Sequence, residues 1–174
     1  GEPRHGVVRV AANGSEGAQV LPVRPRGVVR QQAEALYPAG DGPSVLMIIG
    51  LEPVFVAGPG SFVADMISLC GGRNVVGGED EEEVSAWPQY SLERIVEHDP
   101  EIILSALGGH EMHEGGTLAR LRGLAGWCEL TAVKRGRVYD VDGDTMLRTG
   151  PRLLDGLEET ARLIQTVAGE VAVR

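Results

Sequence analysis

Aromatic residues, cysteines and long apolar runs are all scarce in this chain. Only 4% of the 174 residues are aromatic, and the two cysteines are Cys70 and Cys128. They lack CxxC or Cys/His spacing, which argues against a structural zinc site, and either one disulfide or two free thiols fits them. The apolar run Val45–Leu51 is far shorter than the roughly 18 residues that span a bilayer. The sequence therefore predicts no transmembrane helix.

Positive charge is also in short supply. The chain has 16 Lys and Arg against 25 Asp and Glu, a net charge of −9 at pH 7. Binding to nucleic acid or to an anionic membrane needs clustered basic residues that displace counterions. We therefore expect no nucleic-acid partner, and we expect any electrostatic partner to be basic.

Common enzyme motifs are missing as well. The sequence has no GxSxG nucleophile elbow, no GxxxxGK[ST] phosphate loop and no GxGxxG dinucleotide loop. His110 and His113 flank Glu111 and Met112 in a cluster of metal-ligand types, but their spacing is not that of HExxH and no distant third ligand is evident. They are weak metal candidates against the alternative of a polar loop. We predict a protein that is not an enzyme and has no cofactor.

From Ser44 onward, short apolar runs alternate with amphipathic stretches, which indicates βα units around a parallel sheet. The apolar runs lack the alternation of a half-exposed strand, so we expect them to be buried on both faces. The sequence predicts an α/β fold, a three-layer α/β/α lobe with a mainly parallel sheet, over residues 44–174. The predicted strands are Val45–Gly50, Asn74–Val76, Ile102–Ala106 and Val138–Val141, and the predicted helices are Ser61–Leu69, Leu92–His98, Leu118–Leu124 and Pro151–Val167.

Residues 1–43 have a different character. Five prolines lie among them, so we expect an irregular N-terminal segment with a strand at Gly6–Val10 and a short helix around Val28–Leu36. Their composition assigns them no function.

Four segments from Ser44 to about Ala168 carry a family resemblance. They are Glu52–Gly58, Leu69–Val75, Trp87–Glu93 leading into Asp99–Ile103, and the stretch from Ala132 through Gly136-Arg137-Val138-Tyr139 to Gly150-Pro151-Arg152-Leu153. In this order and spacing the chain resembles the C-terminal lobe of class III periplasmic substrate-binding proteins, which deliver cobalamin, siderophores or haem to ABC importers. Its similarity is greatest to the cobalamin-binding branch, so a corrinoid is the expected ligand, with a ferric siderophore or haem as alternatives.

The resemblance also implies how such a lobe works. Family members hold the ligand between two lobes, and residues 1–43 are too short to supply the first one. We therefore expect half a cleft from this chain, completed by another lobe or by self-association. The alternative is a truncated interaction module that binds no solute. The implied location is periplasmic or at the extracellular membrane surface, although no signal or lipid-anchor pattern is visible in the sequence.

Three residues are predicted to contact the ligand. Phe55 and Trp87 lie between turn-forming residues next to sheet elements, where ligands collect in α/β folds, and each offers a flat wall to a macrocycle. The resemblance aligns both with cleft-lining aromatics and gives Arg148 a cleft-facing position, where a guanidinium donates hydrogen bonds. Simple packing over the end of the sheet is the alternative for the two aromatics.

Glu93 is the predicted docking residue. It lies in the first turn of a predicted helix, where the helix dipole favours an exposed carboxylate. By resemblance it matches the glutamate at the tip of the lobe that forms a salt bridge with arginines of the ABC permease. A solvated surface glutamate is the alternative.

Overall fold

Strands and helices alternate along the chain in the computed structural model, which describes residues 26–37, 41–77, 85–107, 115–147 and 153–171. The elements in chain order are α1 Arg26–Leu36, β1 Ser44–Leu51, β2 Val54–Val56, α2 Phe62–Leu69, β3 Arg73–Asn74, α3 Leu92–His98, β4 Ile102–Ser105, α4 Gly116–Arg122, a 3-10 helix Trp127–Glu129, α5 Thr131–Lys134, β5 Val138–Asp140, α6 Gly143–Met146 and α7 Leu153–Val171. None of the described helices has the length and apolarity needed to cross a membrane.

The described strands form one sheet in the order β2-β1-β4-β5, with β3 paired to the start of β1. β1 pairs in parallel with β3 and β4, and β4 pairs in parallel with β5. Only β2 is antiparallel, because the chain reverses directly after β1 and pairs Val54 with Leu51. The sheet is therefore mainly parallel, as predicted, with one short antiparallel strand that the sequence did not indicate.

Each face of the sheet carries its own layer of helices. Along β1, Val45 and Met47 pack into one apolar cluster with α2, α6 and α7, whereas Leu46 and Ile48 pack into a second cluster with α3, α4, α5 and the 3-10 helix. All four side chains are fully buried. This two-sided burial explains the uninterrupted apolar run of β1, and it confirms the α/β/α layers.

Most predicted elements are present with small shifts at their ends. α3 has the predicted bounds, while the strand predicted at Asn74–Val76 is only Arg73–Asn74. The sequence did not predict α5 and α6, which have four residues each, or the 3-10 helix. Helices this short bury too few side chains to leave a 3.6-residue pattern.

Part of the N-terminal segment belongs to the lobe. The helix predicted around Val28–Leu36 is present as α1, which packs against α7 and α2. Directly after it, the Tyr37 hydroxyl donates a hydrogen bond to the Ile164 carbonyl at 3.5 Å. At least residues 26–37 of the segment expected to be irregular therefore lie on the helical layer, and the strand predicted at Gly6–Val10 lies outside the described residues.

The two cysteines are free thiols in different environments. Cys70 caps the end of α2 in the core, where its Sγ lies 3.4 Å from the Leu157 carbonyl oxygen, whereas Cys128 is half-buried in the 3-10 helix on the other side of the sheet. Burial raises the pKa of the Cys70 thiol to about 12. Because the thiolate is the reactive form, Cys70 is protected twice, by burial and by protonation.

This difference predicts the outcome of thiol labelling. At about pH 8, Ellman's reagent is expected to modify Cys128 in the native protein and to reach Cys70 only after unfolding. The Cys128→Ser variant is the control and should show no rapid labelling until denaturant is added. Rapid release of two equivalents of thionitrobenzoate by the folded wild type would contradict the protected position of Cys70.

Candidate functional site

The carboxyl ends of β1, β4 and β5 lie at one edge of the sheet, which is where α/β proteins bind ligands. β1 ends at Leu51, and the chain turns through Glu52-Pro53 into β2. Phe55 lies in β2, opposite Gly50 of β1. The sequence placed Phe55 in a loop, and the structure places it in a strand beside the carboxyl edge.

A second segment pairs with β2 and forms a short antiparallel ribbon, residues 54–58 with residues 86–90. The N–H groups of Val56, Gly58 and Tyr90 donate to the carbonyls of Pro88, Ala86 and Val54 at 3.2, 2.9 and 3.0 Å. This register brings Phe55 opposite Gln89. The ribbon therefore brings together two segments that lie about 30 residues apart in the chain, and each is too short to be identified as a strand by its own pattern.

Gly58 allows the two halves of the ribbon to approach each other. A Cβ atom at this position would lie 2.2 Å from the carbonyl oxygen of Ser85 and 2.8 Å from Cδ of Pro88. Both distances are shorter than a van der Waals contact, so any larger residue would force the segment that carries Trp87 away from β2. The glycine thus determines how closely Trp87 sits against the lobe.

Alternation along the ribbon gives its two faces different roles. Val54, Val56 and Tyr90 pack into the cluster shared with α3, α4 and α5. The residues between them in each strand, Phe55 and Ala57 with Trp87 and Gln89, point to the opposite face, because successive side chains of a strand alternate. We call the face that carries Phe55, Trp87 and Gln89 the ribbon face.

The ribbon face is aromatic and partly open to solvent. The exposed fraction of Phe55 is 37%, which is unusual for a large apolar side chain in this lobe. Trp87 is half-buried and packs edge-to-face with Phe62 at the start of α2, with ring centroids 6.1 Å apart and an interplanar angle of 72°. Aromatic rings fixed in this way at the edge of a sheet offer a rigid apolar surface to a flat ligand.

Hydrogen bonds join the ends of β4 and β5 to the start of α4. The Thr117 N–H donates to Asp140 Oδ2 at 3.1 Å, and the Thr117 hydroxyl makes a short hydrogen bond to the other carboxylate oxygen. Ser105, the last residue of β4, hydrogen-bonds to the same hydroxyl at 2.7 Å. Asp140 thus caps α4, whose own N-cap residue is Gly115 and has no side-chain oxygen. The sequence pattern did not reveal this network. The one signal for it in the sequence is a polar residue, Ser105 or Asp140, at the end of each of two predicted apolar strands.

The ribbon is connected to α3, the helix that carries Glu93. Tyr90 is buried, and its hydroxyl lies 2.9 Å from Nε2 of His98 at the end of α3. The Arg94 guanidinium lies over the Tyr90 ring at 5.7 Å. The position of α3 relative to the ribbon face is therefore fixed from both ends of the helix.

Glu93 is exposed at the start of α3. Ser91 caps this helix by accepting a hydrogen bond from the Arg94 N–H at 3.4 Å. The helix leads directly into β4, so its N-terminus lies toward the same edge of the sheet as the carboxyl ends of the strands. Glu93 therefore lies toward the carboxyl edge of the sheet, on the helical layer opposite the ribbon face, and is accessible to a partner.

The other candidates lie outside the described residues. These are Arg148, proposed to contact the ligand, and His110 and His113, the weak metal candidates. Within the ranges that the structure describes, no three His, Cys, Asp or Glu side chains are grouped as metal ligands would be.

An α/β/α lobe with an aromatic face beside the carboxyl edge of its sheet belongs to the class of open α/β domains that bind ligands at that edge. The chain belongs to the periplasmic binding protein family, which matches residues 30–145. The match begins within α1, in agreement with the packing of that helix on the lobe.

Two curated relatives show how much of a family member this chain represents. It is 31% identical over 122 residues to an uncharacterised ABC transporter substrate-binding lipoprotein of Bacillus subtilis, covering 70% of this chain and 35% of the relative. It is 27% identical over 114 residues to the vitamin B12-binding protein of Vibrio cholerae, covering 66% of this chain and 37% of that protein. The chain thus matches little more than a third of each relative's length.

Solved structures show the same fold. A possible iron-binding, periplasmic solute-binding protein from Staphylococcus epidermidis is 25% identical with a TM-score of 0.63, covering 80% of this chain and 52% of that one. A periplasmic haem-binding protein from Roseiflexus is 21% identical with a TM-score of 0.64, covering 82% and 54%. The lobe spans about half of these proteins and has the class III periplasmic binding protein fold.

Proposed function

We propose that this chain is the C-terminal substrate-binding lobe of an ABC importer, that it binds cobalamin or a related corrinoid, and that it docks on the permease through Glu93. The single observation that carries the proposal is the ribbon face, with Phe55 and Trp87 on one side of a hydrogen-bonded ribbon at the carboxyl edge of the sheet. Similarity to a vitamin B12-binding protein supports the corrinoid.

Binding in this proposal is non-covalent. The flat ring of the ligand lies against the aromatic side chains, and the hydrophobic effect favours the contact at roughly 25 cal/mol per Å² of buried apolar surface. Arg148 supplies hydrogen bonds at the periphery. The lobe performs no chemistry on its ligand, so it acts as a carrier rather than an enzyme, in the periplasm or at the extracellular membrane surface.

One lobe contacts only one side of the ligand. Ligand sites usually bury 70–90% of the ligand surface, and halving the buried surface leaves the entropic cost of association, on the order of several kcal/mol, nearly unchanged. We therefore expect this chain alone to bind with a Kd on the order of 100 µM or weaker. A second lobe, or a second copy of the chain, would close the other side.

A ferric siderophore or haem is the second candidate ligand. The similarity to a possible iron-binding protein favours it, because that likeness is comparable in identity to the likeness to the B12-binding protein. An aromatic face accepts a haem as readily as a corrin ring, so ligand chemistry must be tested directly. If no corrinoid, ferric siderophore or haem binds, the remaining hypothesis is an interaction module that binds no solute.

The two tryptophans make a decisive titration possible. Cyanocobalamin is expected to quench Trp87 on the ribbon face, whereas Trp127 is only 4% exposed and packs in the opposite cluster. In a Trp127→Phe variant the fluorescence of Trp87 should fall by more than the ligand's absorption of the exciting light explains. In the matched Trp87→Phe variant only that absorption loss should remain.

Free N-acetyltryptophanamide in the same titration calibrates the absorption loss. Equal quenching of the two single-tryptophan variants would remove Trp87 from the binding site. Nanomolar affinity of the monomeric chain would contradict the half-cleft.

A further inference from the structure

We propose that Gln89 is a further ligand-contacting residue, which hydrogen-bonds to polar substituents at the rim of the ligand while the ring lies on Phe55 and Trp87. The inference rests on the proposed function and adds one residue, Gln89, to which the sequence pattern assigned no role. It starts from the register of the ribbon.

Gln89 and Phe55 are direct cross-strand neighbours. The backbone bonds from Val56 to Pro88 and from Tyr90 to Val54 lie on either side of this pair, which leaves no backbone bond between its two members. In antiparallel strands this is the narrow pair, with Cα atoms about 4.5 Å apart and side chains in contact range. The Gln89 side chain is therefore held next to the partly exposed Phe55 ring.

Alternation places Gln89 beside Trp87 as well. The two residues are separated by Pro88 and point to the same face of the ribbon. Trp87 is anchored toward the core by its contact with Phe62, while Gln89 is exposed. The ribbon face is thus an aromatic surface with a carboxamide at its solvent side.

The primary carboxamide of Gln89 restricts which ligand groups can pair with it. It donates and accepts hydrogen bonds at once and carries no charge, so it pairs with groups that do the same, such as carboxamides or hydroxyls on the rim of a ring. In a chain with a net charge of −9, a neutral rim is also favoured over one that bears several carboxylates, because like charges repel. Gln89 therefore favours a ring with an amide periphery.

The test uses nuclear magnetic resonance on the uniformly ¹⁵N-labelled chain with cyanocobalamin as the probe. The Gln89 side-chain NH₂ signals are identified as the pair lost in Gln89→Met, which keeps the length of the side chain and removes its hydrogen bonds. We expect these signals to shift on titration with the same Kd as Trp87 quenching. We expect Gln89→Met to raise that Kd about 3- to 10-fold, the equivalent of one net hydrogen bond.

Gln31→Met is the matched control, since Gln31 is an exposed glutamine on α1, and its Kd should equal that of the wild type. Thermal melting of both variants checks the fold. If cyanocobalamin quenches Trp87 but leaves the Gln89 amide unshifted and Gln89→Met binds normally, the Gln89 inference is overturned and the corrinoid function stands.

If cyanocobalamin does not bind, the corrinoid function fails, and the same titrations are run with haemin and with a ferric trihydroxamate. If the Gln89 side-chain amide signals then shift and the Gln89→Met variant binds the new ligand more weakly, Gln89 contacts that ligand. Binding without that shift, or no binding of any probe, overturns it.

Discussion

Replacing Leu104 by alanine is expected to lower the free energy of unfolding by about 2–5 kcal/mol, the usual cost of removing a fully buried leucine side chain. Leu104 is 0% exposed in β4, where it pairs with Met47 of β1 on one side and with Tyr139 of β5 on the other. The cavity would open in the middle of the sheet, where backbone pairing on both sides hinders relaxation. Chemical denaturation followed by circular dichroism measures the loss.

The matched control is Leu154→Ala. Leu154 is 47% exposed on α7, so the same truncation should change the free energy of unfolding by no more than about 0.5 kcal/mol. Similar losses in the two variants would show that β4 is not the centre of the packed sheet.

Reversing the charge of Glu93 is expected to weaken association with the permease at least tenfold while leaving the lobe folded. A lysine at this exposed position in the first turn of α3 costs stability of about 1 kcal/mol or less. Juxtaposing like charges across an interface costs several kcal/mol, and about 1.4 kcal/mol is already a factor of ten. Pull-down with the cognate permease, together with thermal melting, separates the two effects.

Glu97→Lys is the control for this second variant, because Glu97 is an exposed glutamate on the same helix, one turn further on. It changes net charge equally and should retain most of the binding. Wild-type association should also weaken as salt rises from about 0.05 to 0.5 M, since exposed ion pairs are screened. If both variants bind equally well, Glu93 is a solvated surface residue with no docking role.

The local sequence was sufficient for the main elements of the lobe. β1 and β4 are buried on both faces, so they appear as continuous apolar runs that need no partner to be recognised. α3 is delimited by Ser91 and Pro100, a cap and a helix breaker that act within a few residues. The motif order was enough to indicate the family, and the match over residues 30–145 confirms it.

Residues that lie far apart in the chain decide the candidate site, and there the sequence was insufficient. The sequence singled out Phe55 and Trp87 separately, but their common face depends on backbone hydrogen bonds between residues 54–58 and 86–90. Gln89 was not singled out, because its orientation follows from that register and a one-residue slip would turn it to the other face.

The start of α4 likewise depends on Asp140, which lies 23 residues beyond Thr117. Apolar patterning thus determined the layers and the main parallel strands of this protein, because burial leaves a pattern in neighbouring residues, and the order of the four motif segments indicated its family. Only the tertiary structure decided which side chains share the ribbon face and what caps α4, because contacts between distant segments leave no period in the sequence.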